Sequence, residues 1–476
     1  MKKTNKYLLS VPIIATAIVI GLSGCTKHDQ VLDLQTAATI TPVLNTDTLY
    51  VSPGTATLQP IGDPATPWDG TIEPVWGNAS KLTVHAVVPD LGNGTFEGYI
   101  GNSTDITLRA LYDASNLYML VEFNTTQRNA TNAQWYFNPT TTDMTKRWAQ
   151  EKTADDITVL SPDGSIRPPF AQDQFVIMWN IANSCQTFNA LSCYAACHLA
   201  STYGGSTPVE GGVMYTNGPG ERLDVWRART NQSVNTNQVN DCFIDDGSSV
   251  GLGDGGAVNK NEVHGDWQTL NGPAASVPPS LQSPGMVVSA STATSVVRAA
   301  DGGFSNKQTL HITDAPASKK MAVPIWVIPS ALGTNPYTNS TRTSAIMISD
   351  TLSGVAKKVV AVDSFGVLTL SDASTIDPRS SASQKNYQQV GSGDGANCIP
   401  GSILGLYTAS RGDVTVNAFH TGTGWRMLFK RSLITTDFTN DVDFSTKGSR
   451  GFGCGAMFNR ADNQHAIVAG LTMTFK

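Results

Sequence analysis

Two cysteines and a histidine in one short run offer the clearest chemistry in this sequence. They are Cys193, Cys197 and His198, in the run Cys-Tyr-Ala-Ala-Cys-His. Cysteines placed just before a histidine bind haem c through thioethers to its vinyl groups, while the histidine ligates the iron. The spacer has three residues rather than the usual two, which is a known variant of such sites. The run predicts one c-type haem with His198 as the proximal iron ligand.

The same cysteines could instead form structural disulfides. Cys193 would then pair with Cys197, or one of them with Cys185, and His198 would have no chemical role. A zinc site is disfavoured, because the sequence has no second pair of cysteines or histidines with ligand spacing. Further candidate disulfides, whose pairing the sequence does not fix, are Cys185 with Cys242 and Cys398 with Cys454.

A haem iron held by protein on both sides needs a second axial ligand. Met214 follows His198 in the sequence and is the candidate distal ligand; a thioether there would raise the haem potential. His465 is a weaker candidate. The alternatives are that Met214 fills space in the core and that His465 is a buried structural histidine. Residues with still weaker cases are His85, His264, His311, His420, Lys430 and Lys476.

The N-terminus has the pattern of an export signal. Three lysines precede an apolar run over residues 7–22, which ends in Leu-Ser-Gly-Cys25. This lipobox predicts a lipoprotein signal peptide over 1–24 and acylation of Cys25, which places the chain on a lipid anchor in the bacterial cell envelope. A transmembrane anchor is the alternative, although roughly 16 apolar residues are marginal for a ~30 Å hydrocarbon core. The lack of an Asp after Cys25 favours the outer membrane over the inner.

Composition excludes several classes of protein. The 476 residues are 40% hydrophobic and 15% charged, with a formal net charge of −6. Such a chain has enough apolar residues for a packed core, and it lacks the clustered basic residues that nucleic-acid binding requires. We predict a Thr/Pro-rich tether over 25–65 and one globular domain over 66–476, with a loop-rich elaboration at about 272–395.

Alternating apolar residues indicate that the domain is mainly β. Period-2 alternation, or in one case a continuous apolar run, marks strands separated by Gly, Asn and Asp turns. We predict an immunoglobulin-like or jelly-roll-like β-sandwich with long loop insertions. The strands that carry this prediction are a hairpin over 106–123, a buried strand over 175–179, a hairpin over 414–429 and a last strand over 471–475.

Short motifs along the domain resemble a known family. In order they are Trp68-Asp-Gly70, Glu73-Pro-Val-Trp76, Arg109-Ala-Leu-Tyr-Asp113, Asp173-Gln-Phe-Val-Ile-Met-Trp-Asn180, Asp224-Val-Trp-Arg227, Arg411-Gly-Asp-Val414, Lys430-Arg-Ser-Leu433, Asp441-Val-Asp-Phe444 and Gln464-His-Ala466. With the Cys193–His198 run they resemble the haem-binding domain of the ethylbenzene dehydrogenase gamma-subunit type, also called DMSO reductase-like. The matches cover most of 66–476 outside 272–395.

This resemblance implies a β-sandwich that holds one haem and transfers electrons without being an enzyme itself. The expected partner is a redox protein, a molybdenum enzyme or another cytochrome. The gamma subunits of the family hold haem b through Met and Lys without covalent bonds, so a b-type haem is the alternative cofactor. Related lipoproteins have a histidine where this chain has Arg227.

A different class of function competes with haem binding. The segment Asp69–Trp76 and the hairpin motif Arg109–Asp113 also resemble family 9 carbohydrate-binding modules. The alternative function is therefore a carbohydrate- or ligand-binding β-sandwich lipoprotein without haem. Hydrolase and nucleotide-binding motifs are not supported. Asp245, Asp246 and Asp254 are candidate Ca²⁺ ligands, but a solvated acidic loop is the plainer interpretation.

Overall fold

The computed structural model describes residues 47–62, 68–88, 99–125, 128, 135–138, 141–150, 172–186, 188, 202–203, 207–208, 216, 219–231, 233–245, 264–265, 287–288, 296–297, 303–329, 346–379, 399–407, 409–458 and 466–476. Strands predominate among these residues, which confirms the predicted mainly β class. In this part of the chain, no helix is both long and apolar enough to cross a membrane.

The strands are numbered in chain order. They are β1 (Thr48–Pro53), β2 (Leu82–Val87), β3 (Ser103–Tyr112), β4 (Asn116–Asn124), β5 (Trp135–Phe137), β6 (Trp148–Gln150), β7 (Gln174–Asn180), β8 (Thr202–Tyr203), β9 (Thr207–Pro208), β10 (Arg222–Arg229), β11 (Asn240–Asp245), β12 (His264–Gly265), β13 (Val287–Val288), β14 (Val296–Val297), β15 (Gly303–Ser305), β16 (Gln308–His311), β17 (Lys320–Val323), β18 (Trp326–Val327), β19 (Ile346–Met347), β20 (Lys357–Val362), β21 (Leu368–Leu370), β22 (Thr375–Ile376), β23 (Ser402–Leu404), β24 (Thr415–His420), β25 (Gly424–Ser432), β26 (Arg450–Met457) and β27 (Ala466–Phe475).

Helical segments are short. One α-helix, α1, spans Ile348–Leu352. The 3₁₀ turns are Pro74–Asn78, Met144–Lys146, Ile181–Asn183, Ser233–Thr236 and Ala409–Gly412.

One large sheet forms most of the sandwich. Its strand order is β12-β11-β10-β7-β26-β27-β1-β3-β4-β25-β24, and β2 pairs with both β27 and β3. Neighbouring strands are antiparallel, except that β1 is parallel to β27 and to β3. The predicted hairpins β3–β4 and β24–β25, the buried strand β7 and the final strand β27 are all present.

The two ends of this sheet meet and close one side of the sandwich. The backbone N–H of Val239, just before β11, donates to Val414 O at 2.9 Å, just before β24. Val416 N donates to Asn237 O at 3.1 Å. Because the ends are joined in this way, the sheet folds over on itself and encloses its inner face. The predicted β-sandwich is confirmed.

The enclosed inner face forms the main core, which takes side chains from β1–β4, β7, β10 and β24–β27. Trp179 of β7 lies near its centre. Its ring centroid is 5.3 Å from that of Trp226, 5.0 Å from Phe444 and 5.1 Å from Phe452. Large aromatic rings bury more apolar area than other side chains, so this group contributes strongly to the stability of the sandwich.

The chain before β2 covers the outside of β3, β4 and β25. Trp76 is buried there against Leu111, Tyr118, Leu120 and Leu428. The alternation in this hairpin predicts one buried face, whereas the structure buries β4 on both faces. The second face is apolar because the preceding segment packs on it, a contact that the pattern of the strand alone does not reveal.

A second core joins part of the predicted elaboration to β5 and β6, which precede it in the chain. Strands β16 and β17 form one hairpin, and β18, β20, β21 and β22 form a separate four-stranded sheet. Together with β5 and β6 they enclose the second core, which consists of Trp135, Phe137, Trp148, Ile312, Met321, Val323, Val327, Val359, Val362, Leu368, Leu370, Ile376 and Ile399.

Candidate functional site

The residues predicted to bind haem or lipid lie outside the described part of the chain. They are Cys25, Cys193, Cys197, His198, Met214 and His465. The structure describes the residues on both sides of the Cys193–His198 run, and these define where that connection leaves and rejoins the sandwich.

The connection that carries the run joins β7 to β10, and its two ends are bonded to each other. Arg222 N donates to Ser184 Oγ at 2.9 Å, and Gln186 N donates to Glu221 Oε1 at 3.1 Å. These bonds hold the start and the end of the connection side by side at the same edge of the sandwich.

A tight turn precedes these two hydrogen bonds. The Asn180 side chain bonds both backbone groups of Cys185, donating from Nδ2 to the carbonyl and accepting from the N–H, each at 2.9 Å. Asn180 is the last residue of β7, so this side chain turns the chain back over the outer face of the sheet. Cys185 and then Phe188 pack on that face immediately before the run at Cys193.

The outer face of β7, β10 and β11 is apolar and buried. We call it the outer cluster, and it consists of Met178, Cys185, Phe188, Leu223, Val225, Cys242 and Ile244. Strand β7 therefore has apolar side chains on both faces, as its continuous apolar run predicts. Haem binding uses a concave and mostly apolar pocket. This face supplies apolar side chains, each of which is at most 5% exposed.

Two cysteines of the outer cluster are thiols in the structure. Cys185 and Cys242 were a candidate disulfide, and the structure shows both buried in one apolar cluster without a disulfide between them. Burial raises the pKa of Cys242. A protonated thiol is a poor metal ligand, so Cys242 contributes to the wall and not to iron ligation.

His420, one of the weaker ligand candidates, is not arranged to bind iron. Its Nδ1 accepts a hydrogen bond from Gly422 N at 3.2 Å, so in the neutral ring the proton lies on Nε2. Burial, and then the charge of Arg128, lower the pKa of His420 to about 4. His85 is also excluded as a buried ligand, because it lies exposed in an ion pair with Asp105 at 2.8 Å.

A shallow polar groove lies at the other side of the sandwich. Its volume is about 560 Å³, and it is lined by His85, Ser103, Thr104, Asp105, Asn124, Thr125, Gly422, Thr423 and Phe458. The rings of this lining are the phenyl of Phe458, which is 6% exposed, and the imidazole of His85, whose side chain is 60% exposed. The groove offers hydrogen bonds from its polar side chains, and its exposed ring is the small imidazole of His85.

Sequence reasoning missed a buried group of charges in the main core. Arg431 lies between two carboxylates, 3.2 Å from Asp224 Oδ2 and 3.2 Å from Asp441 Oδ2. All three side chains are almost completely buried. Asp224 Oδ2 also accepts from Val442 N at 3.0 Å, and Thr435 Oγ1 donates to Asp441 Oδ2. The alternation along β25 could have revealed this site. Every second residue, Trp425, Met427 and Phe429, points into the core, and Arg431 is the next in that series.

Burial dominates the electrostatics of this group. It raises the pKa of Asp224 to about 7, against the opposing charge of Arg431, and the nearby charge of Asp441 raises it further. Burial also raises the pKa of Asp413, at the edge of the group, to about 7. Burial acts to lower the pKa of Arg431, but the surrounding carboxylates raise it by more. The guanidinium therefore stays charged.

Asp245, one of the candidate Ca²⁺ ligands, is engaged in an ion pair. Asp245 is buried at the end of β11 and pairs with Arg222 NH2 at 3.4 Å. The other two candidate ligands, Asp246 and Asp254, lie outside the described residues.

Comparison with known proteins adds little. No protein-family model matches the chain, and no curated protein matches it. Among solved structures, the chain is similar to a family 9 carbohydrate-binding module from Caldicellulosiruptor kristjanssonii in complex with glucose. That similarity has 11% sequence identity and a TM-score of 0.14, and covers 41% of this chain and 78% of the module. At these values it carries no argument about ligand or mechanism.

Proposed function

We propose that the protein is a haem-binding electron-transfer protein of the cell envelope, with one c-type haem attached at Cys193 and Cys197. The observation that supports this most is the connection between β7 and β10, whose two ends are hydrogen-bonded to each other. Its chain turns back onto the buried apolar outer cluster just before the Cys193–His198 run. The sequence supplies the attachment groups, and the adjoining sheet face supplies the apolar wall.

The sequence assigns a role to each residue of the run. Cys193 and Cys197 would hold the group covalently, and His198 would ligate its iron. Leu223, Val225 and their neighbours in the outer cluster exclude water from one side of the macrocycle. Bound haem takes up and releases one electron. A low-dielectric wall and the choice of axial ligand then set its potential.

Electron transfer suits the proposed haem site better than catalysis does. With protein ligands on both sides, Met214 or less favourably His465 opposite His198, the iron has no open position for a substrate. The protein would then pass electrons to a redox partner, either a molybdenum enzyme or another cytochrome. A lipid anchor at Cys25 would keep it at the membrane surface, with the outer membrane favoured.

A carbohydrate- or ligand-binding module without haem is the second candidate function. The polar groove favours it, because Asp105, Asn124 and Thr423 place carboxylate, amide and hydroxyl groups along one surface. Sugar sites in most binding modules use an exposed aromatic ring, and the exposed ring of this lining is the imidazole of His85. The groove lies among the described residues, whereas the predicted haem-attachment residues lie outside them.

The test is to express the full chain in a bacterial host with the haem c maturation system. We expect about one haem per chain, a Soret band, and haem staining that survives denaturing electrophoresis. Replacing both attachment residues, Cys193→Ser and Cys197→Ser, should abolish the staining. The control variant Cys454→Ala, which changes a buried cysteine of β26 in the main core, should retain it.

Three outcomes separate the candidates. Haem that is bound but lost on denaturation would replace the c-type proposal with the b-type alternative. A colourless wild-type protein with a Cys193–Cys197 disulfide in its peptide mass spectrum would refute haem binding. Binding of glucose or a soluble glycan to that colourless protein, weakened by Asp105→Ala, would establish the second candidate.

A further inference from the structure

The carboxylates beside Arg431 each use only one oxygen to bind it. NH1 and NH2 of Arg431 contact Oδ2 of Asp224 and Oδ2 of Asp441, each at 3.2 Å. Oδ1 of both residues is buried and has no hydrogen-bond partner in the part of the chain that the structure describes. A buried carboxylate oxygen is stable only when something replaces the water it has lost. These two oxygens therefore point to a ligand on the side away from Arg431.

A third carboxylate completes a set with the dimensions of an ion site. Asp241 lies on β11 opposite Trp226 of β10, so it shares the inner face of the sheet with Asp224. One oxygen each from Asp224, Asp241 and Asp441 lie within 4.8 Å of one another. Ca²⁺ binds oxygen ligands at about 2.3–2.6 Å, so two oxygens on one ion are at most about 5 Å apart.

An independent observation comes from the indole of Trp226. Its Nε1–H is buried and has no acceptor among the described residues. The ring lies beside the charges, with its centroid 5.4 Å from the guanidinium carbon of Arg431. Protein-bound Ca²⁺ commonly keeps water ligands, and such a water would accept this N–H. The orphaned donor and the orphaned acceptors are explained together by a hydrated cation.

The net charge of these side chains indicates that the ion is divalent. Three carboxylates against one guanidinium leave two negative charges, which one divalent cation neutralises. Further acidic groups near the site are Asp413, Asp437 and Asp443, and they add to the negative charge that a cation offsets. All of the donors are hard oxygens, which select Ca²⁺ or Mg²⁺ over softer metals. We propose that Asp224, Asp241 and Asp441 bind one Ca²⁺ in the main core beside Arg431.

This site is separate from the proposed haem site. Asp224 lies on the inner face of β10, whereas its neighbours Leu223 and Val225 lie on the outer face. The two proposals can therefore fail independently. The ion would stabilise the junction of β10, β11 and the segment after β25.

The first test uses the full wild-type chain. Elemental analysis after gel filtration should find about one calcium per chain, counted separately from any iron. Removal of the ion with EDTA should lower the midpoint of thermal unfolding by several degrees, and CaCl₂ should restore it. MgCl₂ at the same concentration should restore it less, because Mg²⁺ demands a tighter octahedral site.

Two isosteric variants and a control locate the ion. Calorimetric titration of the stripped protein should give a dissociation constant for Ca²⁺ that rises at least about tenfold in Asp224→Asn and in Asp441→Asn. Asp245→Asn is the matched control. Asp245 is a buried aspartate on the same strand as Asp241, but it pairs with Arg222 and is not one of the proposed ligands. It should bind Ca²⁺ as the wild type does. A wild-type protein that contains no calcium, takes up none on titration and melts identically in EDTA would overturn the proposal, whether or not the variants fold.

Discussion

The main core and the second core treat buried polar groups in opposite ways. In the second core, the indole N–H groups of Trp135 and Trp148 each donate to a backbone carbonyl at 2.7 Å. In the main core, the indole N–H of Trp425 donates to Asp173 Oδ2 at 2.8 Å, whereas the indole N–H groups of Trp179 and Trp226 have no acceptor among the described residues. The main core also contains Arg431 and its carboxylates.

Acidic residues show the same contrast. Around the second core they stay at turns, where Asp363 accepts from Phe365 N and Val367 N, each at 2.9 Å. In the main core, both acidic residues are buried: Asp224 contacts Arg431 and Val442, which are far away in the chain, and Asp441 contacts Arg431 at the end of the preceding strand. Among the described residues, the second core combines apolar packing with indole N–H groups that are hydrogen-bonded. The main core instead retains buried charge, which native proteins keep where it specifies an arrangement or binds a ligand.

The largest expected effect is that of removing the charge at the centre of the main core. Arg431→Met leaves the buried carboxylates Asp224 and Asp441 without their counter-ion. We expect a loss of about 3–5 kcal/mol in the free energy of unfolding, measured by urea denaturation. The matched control is Arg379→Met, which removes an ion pair with Asp377 near the surface and should cost at most about 1 kcal/mol. Equal losses in the two variants would contradict the contrast between the cores.

A somewhat smaller effect is expected from a cavity in the second core. Leu368 of β21 is completely buried, so Leu368→Ala should lower the free energy of unfolding by about 2–4 kcal/mol. Leu352→Ala, at a side chain that is 83% exposed, should change it by no more than about 0.5 kcal/mol. The described residues of the second core make apolar contacts and include no buried ion group, so the loss in Leu368→Ala should not depend on Ca²⁺. A loss that CaCl₂ reverses would show that the two cores are coupled.

The smallest expected effect is the pH dependence of stability that His420 produces at the edge of the main core. The pKa of His420 is lowered to about 4, whereas an unfolded histidine titrates near 6.5. Between these values the unfolded chain binds a proton that the folded chain does not, so stability is present above about pH 6.5 and is lost as the pH falls towards 4. After allowance for the partial exposure of the ring, the loss should be about 1–2 kcal/mol. Denaturation of His420→Gln at several pH values should give a flatter profile, and parallel profiles would contradict the assignment.

Much of the sandwich could be predicted from the sequence, because period-2 alternation is a local property. Strands β3, β4, β24 and β25 follow from it directly, and β7 from its continuous apolar run. The second buried face of β4 could not be predicted, since it depends on Trp76 packing from another segment.

The buried ion group was not predictable for the same reason. Asp224 and Arg431 occur in motifs that sequence reasoning singled out, and the inward position of Arg431 could be read from β25. Their contact depends on the closure of the whole sheet, which no local pattern encodes. The Cys193–His198 run is the converse case, because six adjacent residues are enough for the haem prediction, whereas the surroundings of the run depend on the fold.

The position of β1 has a consequence for how the chain reaches this state. β1 lies between β3 and β27, and Leu49 is in register with Met473. During synthesis β1 emerges first of the described strands, and β27 emerges last. One edge of β1 is therefore without its neighbour until β27 has been made. Such a long-range pairing carries a loop-closure cost and slows folding. The sheet is completed only when β27 arrives, which makes the pairing of β1 with β27 a late step in forming the native topology.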